Sequence, residues 1–151
     1  IGMGAGFAIA ARHDGKKYQS YIILGDGECY EGSIWEGAMF AAHHKLDNLV
    51  AIVDRNALCI LGKTEELLSL GDLENKWRSF GWETFSVDGH SFNELLTAFE
   101  KINQVIGKPS VIIANTIKGK GISFMEGKSE WHNKMPDLEQ LAQARSELGL
   151  H

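Results

Sequence analysis

No stretch of this 151-residue sequence approaches the ~20 consecutive apolar residues of a membrane-spanning helix, and an apolar run such as Leu49 to Val53 is strand-sized. No basic segment followed by an apolar one opens the chain, so its start does not read as a secretory leader. Cysteine is scarce. Cys29 and Cys59 lie too far apart for a CxxC motif, and free thiols in a cytoplasmic protein are expected rather than a disulfide. The 15 basic residues are outnumbered by 20 acidic ones and form no block; with a net charge of −5, a nucleic-acid backbone is not an expected partner. Repeats, linkers and low-complexity stretches are missing too, which leaves one domain. The rest of the composition, 44% hydrophobic and 23% charged, is ordinary for a globular protein long enough to bury a substantial core.

Segments of helical and strand character alternate along the chain. Gly4 to Arg12 is small and apolar and reads as a closely packed helix. Tyr18 to Leu24 reads as a strand that stops at Gly25-Asp26-Gly27. Ser33 and Glu36 have capping-box spacing, which predicts a helix from there to about Lys45. Leu49 to Asp54 is a short unbroken apolar strand, as in a parallel sheet covered on both faces. Then come a helix over Asp72 to Phe80 ended by Gly81, and a strand over Glu83 to Val87. A second capping box, Ser91 with Glu94, opens a helix running to about Val105. A strand over Ser110 to Asn115, the loop Lys118-Gly119-Lys120-Gly121 and a helix over about Leu138 to Leu148 complete the series. Four strands separated by helices predict a doubly wound, mainly parallel α/β sheet with helices on both faces. Gly2, Gly4 and Gly6 do not make a dinucleotide fingerprint, since no strand precedes them and the spacing is wrong.

Ligands of open parallel sheets bind beyond the carboxyl ends of the strands. The most polar and least regular residues fall there: Gly25 to Glu28, Asp54 to Asn56, and Thr116 to Gly121. Asp26 and Asn56 offer hard oxygen ligands suited to magnesium shared with a phosphate. Gly25 and Gly27 allow a tight turn and close approach of the backbone to an anion. A bound cation with Lys118 or Lys120 would neutralise that anion in an acidic protein. Taken singly, Gly-Asp-Gly is also a common turn. Trp35, Trp77 and Trp82 are read as core or interface aromatics. His43 and His44, near a helix end, are given no chemistry, and His90 is read as part of a strand-to-helix turn.

The segment from Gly25 to Asn56, GDGECYEGSIWEGAMFAAHHKLDNLVAIVDRN, resembles the thiamine-diphosphate motif, which begins with GDG and ends in Asn about thirty residues later; here Asp26 and Asn56 are thirty positions apart. The wording between them is similar to that of transketolases. So are DGHS at Asp88 to Ser91, the TIKGKG run beginning at Thr116, and Trp131-His132. The resemblance covers nearly the whole chain, and its four motifs fall in the family's order.

The resemblance implies thiamine diphosphate as cofactor and Mg²⁺ (or Ca²⁺ or Mn²⁺) as metal. The metal would be held by the Asp26 carboxylate, the Asn56 side chain and the Leu58 carbonyl. Gly27 would meet the diphosphate through its backbone, and Lys118 and His132 would line the same pocket, His132 close enough to cofactor and sugar to affect both. Glu31 would lie at a subunit contact, in a carboxylate network between active sites. The implied reaction is transfer of a two-carbon ketol unit from a ketose phosphate to an aldose phosphate. The glutamate that activates the cofactor belongs, in such proteins, to a pyrimidine-binding domain. The chain is therefore expected to be the diphosphate domain over residues 1–151, without its amino-terminal part. Its partner would be a carboxy-terminal, pyrimidine-binding transketolase subunit or domain, in a dimer of heterodimers or a homodimer. The alternatives are another thiamine-diphosphate enzyme, of the 2-oxo-acid dehydrogenase α-subunit or deoxyxylulose-phosphate synthase type, and a non-catalytic cofactor-binding module. Dehydrogenase α subunits usually read Glu-Asn-Asn where this chain has Asp54-Arg55-Asn56.

Overall fold

The computed structural model describes residues 1–150. Four parallel strands form the central sheet: β1 (Ser20–Gly25), β2 (Leu49–Arg55), β5 (Glu83–Asp88) and β6 (Ser110–Asn115), in the order β1-β2-β6-β5. Between β2 and β5 lie a two-stranded hairpin, β3 (Leu58–Cys59) and β4 (Gly62–Lys63), and two helices, α3 (Thr64–Leu67) and α4 (Leu73–Ser79). Helices α1 (Gly2–His13) and α2 (Gly32–His43) flank β1, α5 (Phe92–Ile102) joins β5 to β6, and α6 (Leu138–Glu147) closes the chain.

The side-chain alternation of the strands builds two cores. Leu49, Ala51 and Val53 of β2 and Val111 and Ile113 of β6 face α1, α2 and α4; Val50, Ile112 and Ala114 face Ala98 and Ile102 of α5. The chain advances from β1 through β2 to β5 over the first face and returns to β6 over the second, as right-handed crossovers require. The doubly wound reading therefore holds. Burial on both faces is deepest in β2, whose Leu49, Val50, Ala51 and Val53 have no exposed surface, although Ile52 is only partly buried. It fails for β1, where α5 reaches only Tyr21, through Phe99 at 5.9 Å between ring centroids, and Ile23 is 75% exposed. On the first face Trp77 packs between Trp35, tilted against it, and Trp82, edge-on to it, with ring centroids 5.3 and 4.9 Å away, and the Trp82 indole donates to the Ala38 carbonyl at 3.0 Å.

Two cap expectations need correction. Helix α2 begins at Gly32, and Ser33 lies exposed inside its first turn, so there is no Ser33–Glu36 box; Glu31 occupies the cap position without a side-chain cap bond. A 3₁₀ turn over Gly27–Tyr30 runs straight into the helix, and Ile34 donates to the Glu31 carbonyl, leaving Ser33 no end to cap. The helix stops at His43, two residues early, because Lys45 turns to φ 50°. Ser91 does cap α5, but the Glu94 carboxylate accepts from Asp88 rather than from Ser91. That helix ends at Ile102 instead of Val105. An unforeseen box, Asp137 with Gln140, opens α6. Both thiols are free, and Cys29 belongs to the first core.

Candidate cation and phosphate site

The loops that follow β1, β2 and β6 leave the sheet side by side, because Gly25 pairs with Asp54 and Arg55 with Asn115. Asp26 prolongs the first pairing, its N–H donating to the Asp54 carbonyl at 3.2 Å. It is 1% exposed. Oδ1 accepts the Gly27 N–H at 2.8 Å and Oδ2 accepts the Ala57 N–H at 2.7 Å, so one carboxylate bonds the first and second polar loops together. Burial pushes the Asp26 carboxyl above its usual range, against those two amides and the Arg55 charge, and the Asp54 carboxylate adds to the rise. A buried carboxylate in this condition is stabilised by a cation that replaces its lost hydration.

Beside it, the Asn56 amide is fixed at both ends. Its oxygen accepts the Leu58 N–H at 3.0 Å, and its nitrogen donates to Asp54 Oδ2 at 3.3 Å. Asp54 Oδ1 accepts the Thr116 hydroxyl, tying this loop to the one after β6. Ala57 reaches its position at φ 60°, a left-handed conformation that a side chain disfavours. The hairpin of β3 and β4 then leans over the first loop. A Cβ on Gly27 would lie 2.9 Å from the Cys59 Cβ, closer than side chains pack, so only glycine lets the two loops meet. Neither Gly25 nor Gly27 has positive φ; their contribution is space rather than torsion.

These loops enclose a cleft of about 670 Å³, compared with about 530 Å³ for a groove along the outer edge of β5. Asp26, Gly27, Asn56 and Leu58 line it from one side, and Lys118 and His132 from the loops after β6. Glu31 also lines it, at the amino end of α2, where a carboxylate is favoured in any case. All seven residues to which the resemblance gives a role thus border one cavity. Lys120 does not; it pairs with Glu126 at 3.8 Å. His132 ends a 3₁₀ turn (Ser129–His132) anchored by Trp131, whose indole donates to the Phe124 carbonyl at 2.9 Å.

Sequence reasoning missed Asp54 as the link between loops, and Cys59, Ile60 and Leu61, which the hairpin brings to the cleft wall. The only signal for the hairpin was Gly62 after a short apolar run, which does not separate a turn from a loop. Among the described residues, no three His, Cys, Asp or Glu side chains are placed to hold a metal ion together. A cation held here must therefore use amide and carbonyl oxygens and oxygens of its ligand, which suits magnesium on a diphosphate.

The fold and the cleft define an α/β domain that presents hard oxygen groups and a basic side chain at the carboxyl edge of its sheet. Residues 6–151 match the family described as the thiamine diphosphate binding domain of transketolase, and the chain belongs to that family. It is 43% identical over 148 residues to a subunit of the apulose-4-phosphate transketolase of Phocaeicola vulgatus, covering 98% of this chain and 53% of that protein. It is 48% identical over 143 residues to a 6-deoxy-6-sulfo-D-fructose transketolase subunit of a Clostridium species, covering 95% of this chain and 52% of the relative. Among solved structures, the transketolase of Campylobacter jejuni superposes with a TM-score of 0.91 at 30% identity, over 97% of this chain and 24% of that one. The chain thus spans about half the length of the transketolase subunits it matches.

Proposed function

We propose that residues 1–151 are the diphosphate- and metal-binding domain of a transketolase subunit. With a pyrimidine-binding partner, that subunit moves a two-carbon ketol unit from a ketose phosphate to an aldose phosphate. The observation that carries this reading is the buried Asp26 carboxylate, held by two amides at the wall of a cleft that also gathers Asn56, Leu58, Lys118 and His132. Asp26, the Asn56 amide oxygen and the Leu58 carbonyl hold Mg²⁺. The Gly27 backbone and the Lys118 ammonium meet the diphosphate. When bound, thiamine diphosphate supplies the electron sink that lets a carbon–carbon bond next to a ketose carbonyl break and re-form. His132, exposed on the far side of the cleft, orients a sugar hydroxyl and holds or moves its proton. Glu31 contacts the neighbouring subunit of a dimer of heterodimers or a homodimer, in the cytoplasm.

The substrate class is a ketose phosphate or a ketose bearing a comparable anionic group, in keeping with the sugars for which the two relatives are named. The test is reconstitution of the protein with the pyrimidine-binding subunit, thiamine diphosphate and Mg²⁺, using ketose phosphates and sulfo-ketoses as donors and an aldose phosphate as acceptor. Ketol transfer that needs all three additions is expected. Turnover of 2-oxo acids instead, or transfer without the partner, would overturn the reading.

A further inference from the structure

The motif Asp88 to Ser91 has no part in the cleft, yet it grips the loop that carries Lys118. We propose that His90 is a positioning residue: by accepting the backbone N–H of Ile117 it holds the loop after β6 so that Lys118 faces the diphosphate. The proposal rests on the reading of Lys118 as a phosphate-binding side chain.

Pairing of β5 with β6 ends at Asp88 opposite Asn115, so the N–H of Ile117 lies beyond the reach of the sheet. His90 Nε2 takes it at 2.8 Å. For that nitrogen to accept, the proton of the neutral ring must sit on Nδ1. The mount beneath the imidazole is closed on itself. Asp88 N–H donates to Glu94 Oε2 at 2.8 Å, His90 N–H to Asp88 Oδ1 at 2.9 Å, and Ser91 N–H to the Asp88 carbonyl at 3.0 Å.

Gly89 adds a second grip. Its N–H donates to the Asn115 carbonyl at 2.8 Å, and it packs so tightly that any Cβ would overlap the Thr116 methyl. From the other side, Thr116 is held by the Arg55 carbonyl at 3.1 Å and by the Asp54 carboxylate. Residues 115–117 are therefore clamped between the turn at Asp88–Ser91 and the end of β2, and Lys118 is the next residue out. His90 does not line the cleft itself, so any effect it has on binding passes through the loop.

The test compares His90→Leu, which removes the acceptor, with His90→Gln, whose amide oxygen can reach the position of Nε2. Amide exchange at Ile117 and thiamine diphosphate affinity in Mg²⁺ are measured for both with the pyrimidine-binding subunit present, alone and combined with Lys118→Met. His90→Leu is expected to speed Ile117 exchange and to weaken the cofactor, each by roughly five- to tenfold, the scale of one hydrogen bond. His90→Gln should stay within about twofold of the parent in both, and His90→Leu should add no further loss once Lys118 is gone. Unchanged Ile117 exchange in His90→Leu would overturn the proposal. So would equal weakening by Leu and Gln, or a full additional loss in the Lys118→Met background. If the parent protein binds no thiamine diphosphate, the cofactor reading fails. Ile117 exchange then still judges the clamp, equal rates in parent and His90→Leu refuting it.

Discussion

Asp47 and Asp26 stand at opposite ends of the same sheet. Asp47, just before β2, meets its charge within the fold: Arg12 bonds Oδ1 at 2.6 Å, and the Gly107 N–H reaches Oδ2 at 2.9 Å. Partial burial pushes its carboxyl up, but that amide and the guanidinium outweigh the effect and hold it below the usual carboxylate range. Asp26, just after β1, is more deeply buried, accepts only amide protons and has its carboxyl pushed up. Among the described residues no lysine or arginine bonds it. One carboxylate is satisfied by the chain and fastens α1 to the loops at the amino end of the sheet. The other is bonded by two amides alone, with no cationic side chain bonded to it, which fits the cation proposed above. The difference marks the carboxyl edge as the working one.

The largest expected effect separates the two aspartates by activity. In the assembled enzyme, Asp26→Ala should lower turnover on the order of 100-fold or more at a fixed Mg²⁺ concentration, and Asp47→Ala should leave it within about twofold. Equal losses would erase the distinction. Stability should sort them the other way. Asp47→Ala is expected to cost about 1 kcal/mol at pH 7 by denaturant unfolding, a modest figure because the pair is partly exposed. Its folded-state carboxyl lies below the unfolded value of 3.8, so this contribution is complete above that pH and is lost as pH falls through the lower, folded value. A stability gap that closed between pH 7 and 5 would contradict the pairing.

A smaller effect concerns the thiols. Cys59, half-buried on the cleft wall, should be alkylated well before Cys29, which is 2% exposed and whose thiol is pushed up to about 12, by burial first and then by the Asp26 and Glu28 charges. Thiamine diphosphate with Mg²⁺ should slow labelling of Cys59 alone. Labelling of Cys29 first, read by mass spectrometry, would mean the hairpin sits elsewhere. The smallest effect belongs to Ala57. Its left-handed backbone costs ~1–2 kcal/mol, of which glycine would return part while adding ~0.5–1 kcal/mol of unfolded-chain entropy. Ala57→Gly should therefore stabilise the protein by about 0.5 kcal/mol, and a loss of that size would show the loop unstrained.

Much of this was legible before the structure. The alternation of apolar strands and helices gave the parallel sheet, because strands covered on both faces need unbroken runs such as Leu49 to Val53. Asp26, Asn56 and Lys118 were legible from position, since each follows a strand end, whereas His132 was legible only through the family resemblance; all four line the cleft. What stayed hidden depends on register and reach. Asp54 joins Asn56 to Thr116 only because β2 and β6 are neighbours, although β5 comes between them in sequence. Ser33 has the spacing of a cap, and what denies it the role is the preceding turn, whose continuity with α2 no local pattern records. His90 looked like a turn residue and is one, and its bond to Ile117 crosses 27 positions of chain.

The central claim is that Asp26 waits for a cation carrying a diphosphate. The most direct measurement is calorimetric titration of thiamine diphosphate into the protein with its pyrimidine-binding subunit present, in Mg²⁺, in EDTA, and with Asp26→Ala in Mg²⁺. The account expects binding in the first case and its loss in the other two. Equal affinity with EDTA or with Asp26→Ala, or no binding in any of the three, would contradict it.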